Sequence, residues 1–179
     1  MKIIAFAGSN SSKSINKTLV HHTLKYFGSY ETEVLDLNDY EMPLFSVDKE
    51  RSNGHPDLAR QFLQKISSAD ALIISLAEHN RSYSVAFKNI LDWISRVEKL
   101  PFYHKPTLLM STSPGAFGGG NIMQTAVKFL PQFGMDIITT FSLPKFYETF
   151  SVEEGKILNE EYQKAHEEAI NDFKSKLDL

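Results

Sequence analysis

The most informative absence in this sequence is cysteine, of which the 179 residues contain none. Disulfide bonds, thiolate metal sites and cysteine nucleophiles are therefore excluded. The six histidines are not paired at the spacing that brings two ligands onto one helix face, and His21 and His22 are direct neighbours whose side chains point apart. We therefore predict no metal site.

The chain also lacks a marked excess of charge of either sign. Lysine and arginine total 19 and aspartate and glutamate total 22, which gives a formal net charge of −3. A surface that binds nucleic acid needs a clearly basic balance, so we expect no nucleic-acid partner. No apolar run is long enough to cross a membrane, and the run at 3–7 is too short for a signal peptide. These features predict no membrane association and a cytoplasmic protein.

Common nucleotide-binding and hydrolase motifs are missing as well. A P-loop needs a second glycine before its Lys-Ser, whereas here Lys13-Ser14 follows Gly8 one residue early and without that glycine. A dinucleotide fingerprint needs three glycines at the first turn, and only Gly8 is present. The Gly-x-Ser-x-Gly elbow of a serine hydrolase does not occur. The sequence therefore argues against all three site types.

What the first turn does contain is a concentration of hydroxyl groups. An apolar run at 3–7 predicts a buried strand, Gly8 ends it, and apolar residues return at helical spacing from Leu19 onward. Between them lie four serines, Lys13 and Asn16. The first N–H groups of a helix lack an internal partner and the helix dipole is positive there, so this turn is a candidate phosphate site. The alternative interpretation is that the serines are ordinary helix N-caps.

The rest of the chain alternates short apolar runs with helical patterns. These runs predict five strands, at 3–7, 33–37, 69–76, 107–112 and 135–140. Apolar runs of this kind are typical of parallel strands buried on both faces, and their alternation with helices predicts a doubly wound α/β fold that forms one domain over 1–179. We expect a final helix at 160–177 and irregular structure at 38–56 and 141–156. The first of these stretches is either a functional loop or a surface flap.

Three loops follow the predicted strands with unusual compositions, at 8–16, 77–82 and 113–120. The first is rich in hydroxyl groups, the second contains Glu-His-Asn and the third is rich in glycine. Ligands of doubly wound sheets bind beyond the carboxyl ends of the strands, where the strand order switches. We therefore expect the three loops to form one site.

The loops resemble those of NADPH-dependent FMN reductases with a flavodoxin-like fold. The match covers most of residues 1–134, in the right order and spacing. The matching segments are Gly8-Ser9-x-x-x-x-Ser14-x-Asn16, Glu78-His79-Asn80-x-Ser82, Phe87-Lys88-Asn89-Ile90-Leu91-Asp92-Trp93 and Ser113-Pro114-Gly115-x-x-Gly118-Gly119.

The resemblance implies a flavodoxin-like sheet of five parallel strands with helices on both faces, and an FMN-dependent NAD(P)H oxidoreductase. Bound FMN would take a hydride from NADPH or NADH, the co-substrate, and pass electrons to a small-molecule acceptor such as a flavin, quinone, azo compound or metal ion. No acid or base is required, so no catalytic residue is predicted, and the family implies a homodimer or homotetramer. The implied flavin contacts are Ser9, Ser11, Lys13, Ser14 and Asn16 at the phosphate, Glu78, His79 and Asn80 along the ring, and Ser113, Gly115 and Gly118 on the opposite wall.

The sequence departs from the family pattern in places. An arginine usually stands at the position of Ser11, and Ala77 and His79 replace a proline and a tyrosine. Lys13 supplies a charge but lacks the planar, two-pronged geometry of a guanidinium. Two alternatives therefore stay open: an FMN-binding electron carrier that does not use NADPH, and a family member that has lost flavin. The small net charge argues against the carrier, because such carriers are strongly acidic.

Overall fold

A central sheet of five parallel strands organises the chain in a computed structural model that describes residues 1–177. In chain order the strands are β1 (Lys2–Gly8), β2 (Glu31–Leu35), β3 (Ala71–Leu76), β4 (Glu78–His79), β5 (Ser82–Tyr83), β6 (Lys105–Thr112), β7 (Met135–Leu143), β8 (Phe150–Ser151) and β9 (Lys156–Ile157). The α-helices are α1 (Ile15–Leu24), α2 (Val47–Asn53), α3 (Asp57–Ser68), α4 (Val85–Val97), α5 (Gly120–Phe129), α6 (Phe146–Thr149) and α7 (Glu160–Leu177). The sheet order is β2–β1–β3–β6–β7. This confirms the predicted doubly wound fold.

The sheet is buried on both faces because its central strands are apolar throughout. Every residue of β3 is buried. On one face α3, α4 and α5 cover a cluster that includes Phe6, Phe62 and Trp93. On the other face α1 and α7 cover a second cluster that includes Leu19 and Phe173. The two clusters hold the helix starts at fixed positions around the carboxyl ends of the strands.

The strand order switches between β1 and β3. After β1 the chain pairs β2 on one side, and it then crosses to place β3 on the other side. The helix after β1 covers one face of the sheet and the helix after β3 covers the opposite face. Gly8 and Leu76, the last residues of these strands, pair directly, and a Cβ on Gly8 would lie 2.9 Å from Leu76 Cδ2. A crevice at the ends of β1 and β3 is the place where this fold binds ligands.

Some predicted boundaries are wrong by a few residues. β2 covers 31–35 instead of 33–37, because Asp36 accepts a hydrogen bond from the N–H of Asn38 (3.0 Å) and caps a 3-10 turn over Leu37–Tyr40. β3 begins at Ala71 instead of 69, and β7 continues to Leu143 instead of 140. The final helix has the predicted bounds.

The two stretches predicted to be irregular contain regular structure. Helix α2 lies within 38–56 and buries none of its residues, so it shows no apolar periodicity. Its local signals are the cap at Ser46, which accepts from the N–H of Lys49 (3.1 Å), and acidic residues in its first turn. The stretch 141–156 holds the end of β7, helix α6 and part of the β8–β9 hairpin. Within residues 1–177, no helix has both the length and the apolar character needed to span a membrane.

Candidate functional site

The first loop is shaped by its own serines. Ser9 Oγ accepts from the N–H of Ser11 (3.2 Å), and Ser11 Oγ accepts from the N–H of Lys13 (3.3 Å). Ser14 caps α1 by accepting from the N–H of Lys17 (3.2 Å). Ser14 therefore has the ordinary capping role, while the other two serines fold the loop. Each hydroxyl keeps its own O–H to donate, and Ser11 and Lys13 are exposed.

Asn16 joins the first loop to the ends of β3 and β6. Its side chain is buried, and its Oδ1 accepts from Ser75 Oγ (2.8 Å) and from the N–H of Thr112 (3.0 Å). Its Nδ2 donates to the carbonyl of Thr112 (3.2 Å). The predicted contact with a phosphate would have to use the one N–H that remains on this amide. The described contacts of Asn16 hold the carboxyl ends of the strands together, and its contact with a phosphate stays a prediction.

The second loop is a two-stranded hairpin instead of an open loop. β4 and β5 pair in antiparallel fashion, and the turn between them is Asn80-Arg81. Both turn residues have positive φ (51° and 64°), as a tight two-residue hairpin requires, and asparagine adopts such a conformation more readily than most residues. His79 and Asn80 are exposed at the tip. The hairpin therefore presents both of these predicted contact residues to solvent.

Ser84 connects the second loop to the first. Its Oγ donates to the carbonyl of Gly8 (2.7 Å) and accepts from the N–H of Phe87 (3.2 Å), which caps α4. The predicted site did not include Ser84. A serine directly before a run of apolar residues at helical spacing is an N-cap signature and could have identified it.

Glu78 ties the second loop to the third. Its carboxylate accepts from Asn121 Nδ2 (2.9 Å) and from the N–H of Ile122 (3.0 Å) at the start of α5. An anion at this position satisfies a free N–H and complements the helix dipole. The hydrogen bonds of its carboxylate to α5 fix the position of Glu78, and its contact with the flavin ring stays a prediction. Its partners are 43 and 44 residues away, so no local signal reveals them.

The third loop uses its glycines for internal packing. Gly118 is buried with φ 58°, and a Cβ there would lie 2.8 Å from the N of Pro144. This glycine is therefore required by the packing of the loop against the end of β7, whereas the prediction attributed it to the approach of a ligand. Gly115 is exposed, and its carbonyl accepts from Ser113 Oγ (3.4 Å). A Cβ on Gly115 would meet only that hydroxyl, at 3.8 Å, so this part of the loop is open.

A cavity of about 400 Å³ lies beside the second loop. Its wall is the segment 37–44 and the start of α4, and Asn10 and His79 connect it to the first and second loops. Asn89 holds the wall: its Oδ1 accepts from the N–H of Phe45 (2.8 Å) and its Nδ2 donates to the carbonyl of Met42 (3.0 Å). Trp93 Nε1 donates to the carbonyl of Pro43 (2.7 Å). The cavity is therefore preformed.

The charged and phenolic groups around these loops have mainly structural roles. Lys17 on α1 forms an ion pair with Asp36 after β2 (2.6 Å), and its hydrogen bond lowers the pKa of that carboxyl. Burial raises the pKa of Tyr83 to about 12, and its hydroxyl has no partner within the described part of the chain. No group of three or more His, Cys, Asp or Glu among residues 1–177 is placed to hold a metal ion.

Comparisons with known proteins agree with this arrangement. A 2-hydroxy-1,4-benzoquinone reductase from Burkholderia sp. is 36% identical over 120 residues, which cover 66% of this chain and 63% of that protein. A quinone reductase from Escherichia coli strain K12 is 30% identical over 120 residues, with 66% of this chain and 63% of the relative covered. The chain thus matches less than two thirds of the length of these curated relatives.

The fold has solved counterparts, and a family model covers most of the chain. A flavoenzyme NAD(P)H:(acceptor) oxidoreductase from Paracoccus denitrificans has a TM-score of 0.72 and 23% identity, with 97% of each chain covered, and therefore the same fold. The family model described as NADPH-dependent FMN reductase matches residues 1–148, a range that includes all three loops. The chain therefore belongs to the NADPH-dependent FMN reductase family.

Proposed function

We propose that this chain is an FMN-dependent NAD(P)H oxidoreductase that reduces small-molecule acceptors such as flavins, quinones, azo compounds or metal ions. The observation that carries the proposal is the meeting of three loops at the strand switch point, in a chain of this family. When bound, FMN supplies the redox chemistry: it takes a hydride from NADPH or NADH and passes two electrons to the acceptor. The names of the quinone reductase relatives support quinones as one acceptor class.

The donors of the first loop fit a phosphate monoester. Ser9, Ser11 and Ser14 each accept a backbone N–H and keep an O–H to donate. Lys13 is exposed and forms no ion pair within residues 1–177. Four charge-assisted hydrogen bonds would contribute roughly 6–12 kcal/mol, which is comparable with an association cost of about 4–15 kcal/mol. Contacts to the flavin ring must therefore add to the affinity.

The proposed ring contacts lie on two surfaces, where His79, Asn80 and Gly115 are exposed and Ser113 is half-buried. His79 and Asn80 at the hairpin tip would contact one side of the ring, and Ser113 and Gly115 on the third loop would contact the other. Asn16 and Glu78 act as positioning residues, because their hydrogen bonds hold the three loops together. These residues bind and orient, and none of them needs to act as an acid or base.

The visible absorbance spectrum of the purified protein tests the proposal, before and after FMN is added and the excess removed. We expect a bound-flavin spectrum, followed by NADPH or NADH oxidation that depends on an added quinone. Ser11→Ala should weaken FMN binding, whereas Ser12→Ala serves as a matched exposed control, since Ser12 Oγ makes no hydrogen bond within the described residues. Bound flavin without NAD(P)H oxidation would favour the electron carrier, and no flavin after reconstitution would favour the flavin-free alternative.

The proposal extends to assembly and location. A homodimer or homotetramer is supported by the resemblance to the family, and light scattering on the purified protein tests it. A cytoplasmic location is supported by the cysteine-free composition. Cell fractionation tests this point.

A further inference from the structure

The cavity beside the second loop contains one side chain that is charged at neutral pH. Among its lining residues Glu41 is the sole acidic residue, and none is a lysine or arginine. Glu41 is exposed, and its carboxylate forms no ion pair or hydrogen bond with any residue of the described range 1–177. The rest of the lining is neutral or apolar, and Met42, Val85 and Ile90 form part of it. The cavity lining therefore has one carboxylate and no lysine or arginine, and His79 is its one basic side chain.

The position of Glu41 is held on both sides. Tyr40 is buried and packs edge-on against Phe62, with ring centroids 5.0 Å apart. Met42 is buried, and its carbonyl accepts from Asn89 (3.0 Å). The backbone of Glu41 is therefore anchored beside the cavity.

Charges of opposite sign line separate clefts beside the first loop. A second cleft, of about 490 Å³, is lined by Lys13, Lys17 and His21 and by no acidic residue; Lys17 is ion-paired with Asp36 (2.6 Å), so Lys13 is the lysine of this cleft that has no ion pair within residues 1–177. The 400 Å³ cavity is lined by Glu41 and no lysine or arginine. An anionic group is therefore favoured on the side of Lys13 and disfavoured on the side of Glu41.

We propose that the cavity beside the second loop receives the electron acceptor and that Glu41 selects against anionic acceptors. This inference rests on the proposed function. The acceptor class is then a planar quinone that is neutral or cationic, with apolar contacts from Met42, Val85 and Ile90. The overall reaction is NAD(P)H plus H⁺ plus quinone to NAD(P)⁺ plus hydroquinone, so the two electrons come from the nicotinamide and the second proton from solvent.

The test compares three naphthoquinones with the FMN-loaded protein: 1,4-naphthoquinone, its anionic 2-sulfonate and a derivative with a trimethylammonium side chain. For each acceptor the kcat/KM of a variant is divided by that of the unsubstituted protein, because this ratio cancels differences in acceptor potential. Glu41→Gln should raise the ratio about fivefold for the sulfonate, leave the neutral quinone within about twofold and lower the cationic one. Glu41→Lys should enlarge both changes. Asp39→Asn is the control, since this neighbouring carboxylate is exposed but does not line the cavity.

Two measurements test the proposed function independently of the inference about Glu41. They are the flavin content and the rate at which the FMN-loaded protein oxidises NADPH without an added acceptor. If both are normal and the Glu41 variants change the three acceptors equally, or not at all, the inference is wrong while the proposed function stands. The inference is also wrong if Glu41→Gln changes FMN affinity instead of acceptor preference, because the cavity would then belong to the flavin. A protein that binds no flavin would overturn both.

Discussion

Mild acid should weaken the contact between α1 and α7. His22 on α1 and His166 on α7 are both buried there, and their rings stack with centroids 5.1 Å apart and planes at 25°. Thr23 Oγ1 donates to the carbonyl of Leu19 (2.9 Å), so it accepts from the Nε2–H of His166 (2.8 Å). His166 Nδ1 and His22 Nε2 have no partner within residues 1–177. A proton added to either ring would be buried without an acceptor.

Burial, together with a smaller contribution from the neighbouring His22, lowers the pKa of His166 from 6.5 to about 3. Burial also lowers the pKa of His22, as does the charge of Lys25, although the carbonyl of Gly155 opposes this. The folded state therefore keeps these imidazoles neutral while the unfolded state binds protons below pH 6.5. The contribution of these two histidines to stability is constant above that pH and falls as the pH decreases from about 6.5 toward 3. For His166 alone the loss between pH 7.5 and pH 5 is about 2 kcal/mol.

Urea unfolding followed by circular dichroism at pH 7.5 and pH 5 measures this loss. His166→Phe fills the same space without a titrating group, so it should reduce the pH-dependent loss by about 2 kcal/mol whatever its effect at pH 7.5. His166→Gln provides a second non-titrating variant that keeps a polar partner for Thr23. His21→Gln is the control, because His21 neighbours His22 on α1 but is exposed. If both His166 variants lose as much stability between the two pH values as the unsubstituted protein, the reasoning is refuted.

Three further predictions concern the loops. Gly118→Ala should lower the free energy of unfolding by about 2 kcal/mol or more, because its φ is 58° and a Cβ meets the backbone of Pro144 at 2.8 Å. Gly115→Ala should change it by less than about 0.5 kcal/mol, and equal losses in urea unfolding would contradict the packing argument. Asn16→Ala should lower the free energy of unfolding by on the order of 2–3 kcal/mol in the same assay and weaken FMN binding, since the backbone N–H and carbonyl of buried Thr112 each lose a hydrogen bond to this side chain. Unchanged stability would show that the Asn16 amide does not hold the strand ends together. Lys13→Ala should weaken FMN binding about fivefold in a fluorescence titration while Lys13→Arg stays within about twofold, and equal affinities would exclude a phosphate contact.

The strands were predictable where burial is complete. β3 and the carboxyl half of β6 are buried along their whole length, so continuous apolar runs mark them. β2 lies at the edge of the sheet, where Glu31 and Thr32 are exposed. The strand therefore begins with polar residues, and no apolar run marks its first two positions. Leu37 belongs to the following 3-10 turn but is buried, which extended the apolar pattern past the end of the strand. The predicted bounds of β2 are therefore wrong because the turn that follows the strand is buried.

The sequence predicts where the three loops lie in the sheet, but not the hydrogen bonds that join them. The three loops follow β1, β3 and β6, which adjoin in the sheet. Asn16, however, contacts Thr112, 96 residues away, and Glu78 contacts the start of α5. Local sequence does not encode such pairings, so the structure alone reveals these hydrogen bonds, and contact of either residue with the flavin stays a prediction. The sequence pattern does not reveal helix α2 for a related reason: none of its residues is buried, so no apolar periodicity marks it.

The residues that match the family pattern and those that depart from it differ in their contacts. Four residues match the family pattern and form internal hydrogen bonds with their polar side-chain atoms: Asn16, Glu78, Asn89 and Trp93. The departures at Ser11 and His79 are exposed at the loop tips instead. These four matching residues therefore maintain the loop geometry, whereas Ser11 and His79 lie where a flavin or an acceptor would make contact. Ala77, the third departure, is buried. We therefore expect these matching residues to act mainly on the scaffold of the site, and we propose that flavin affinity and acceptor preference depend on exposed residues such as Ser11, His79 and Glu41.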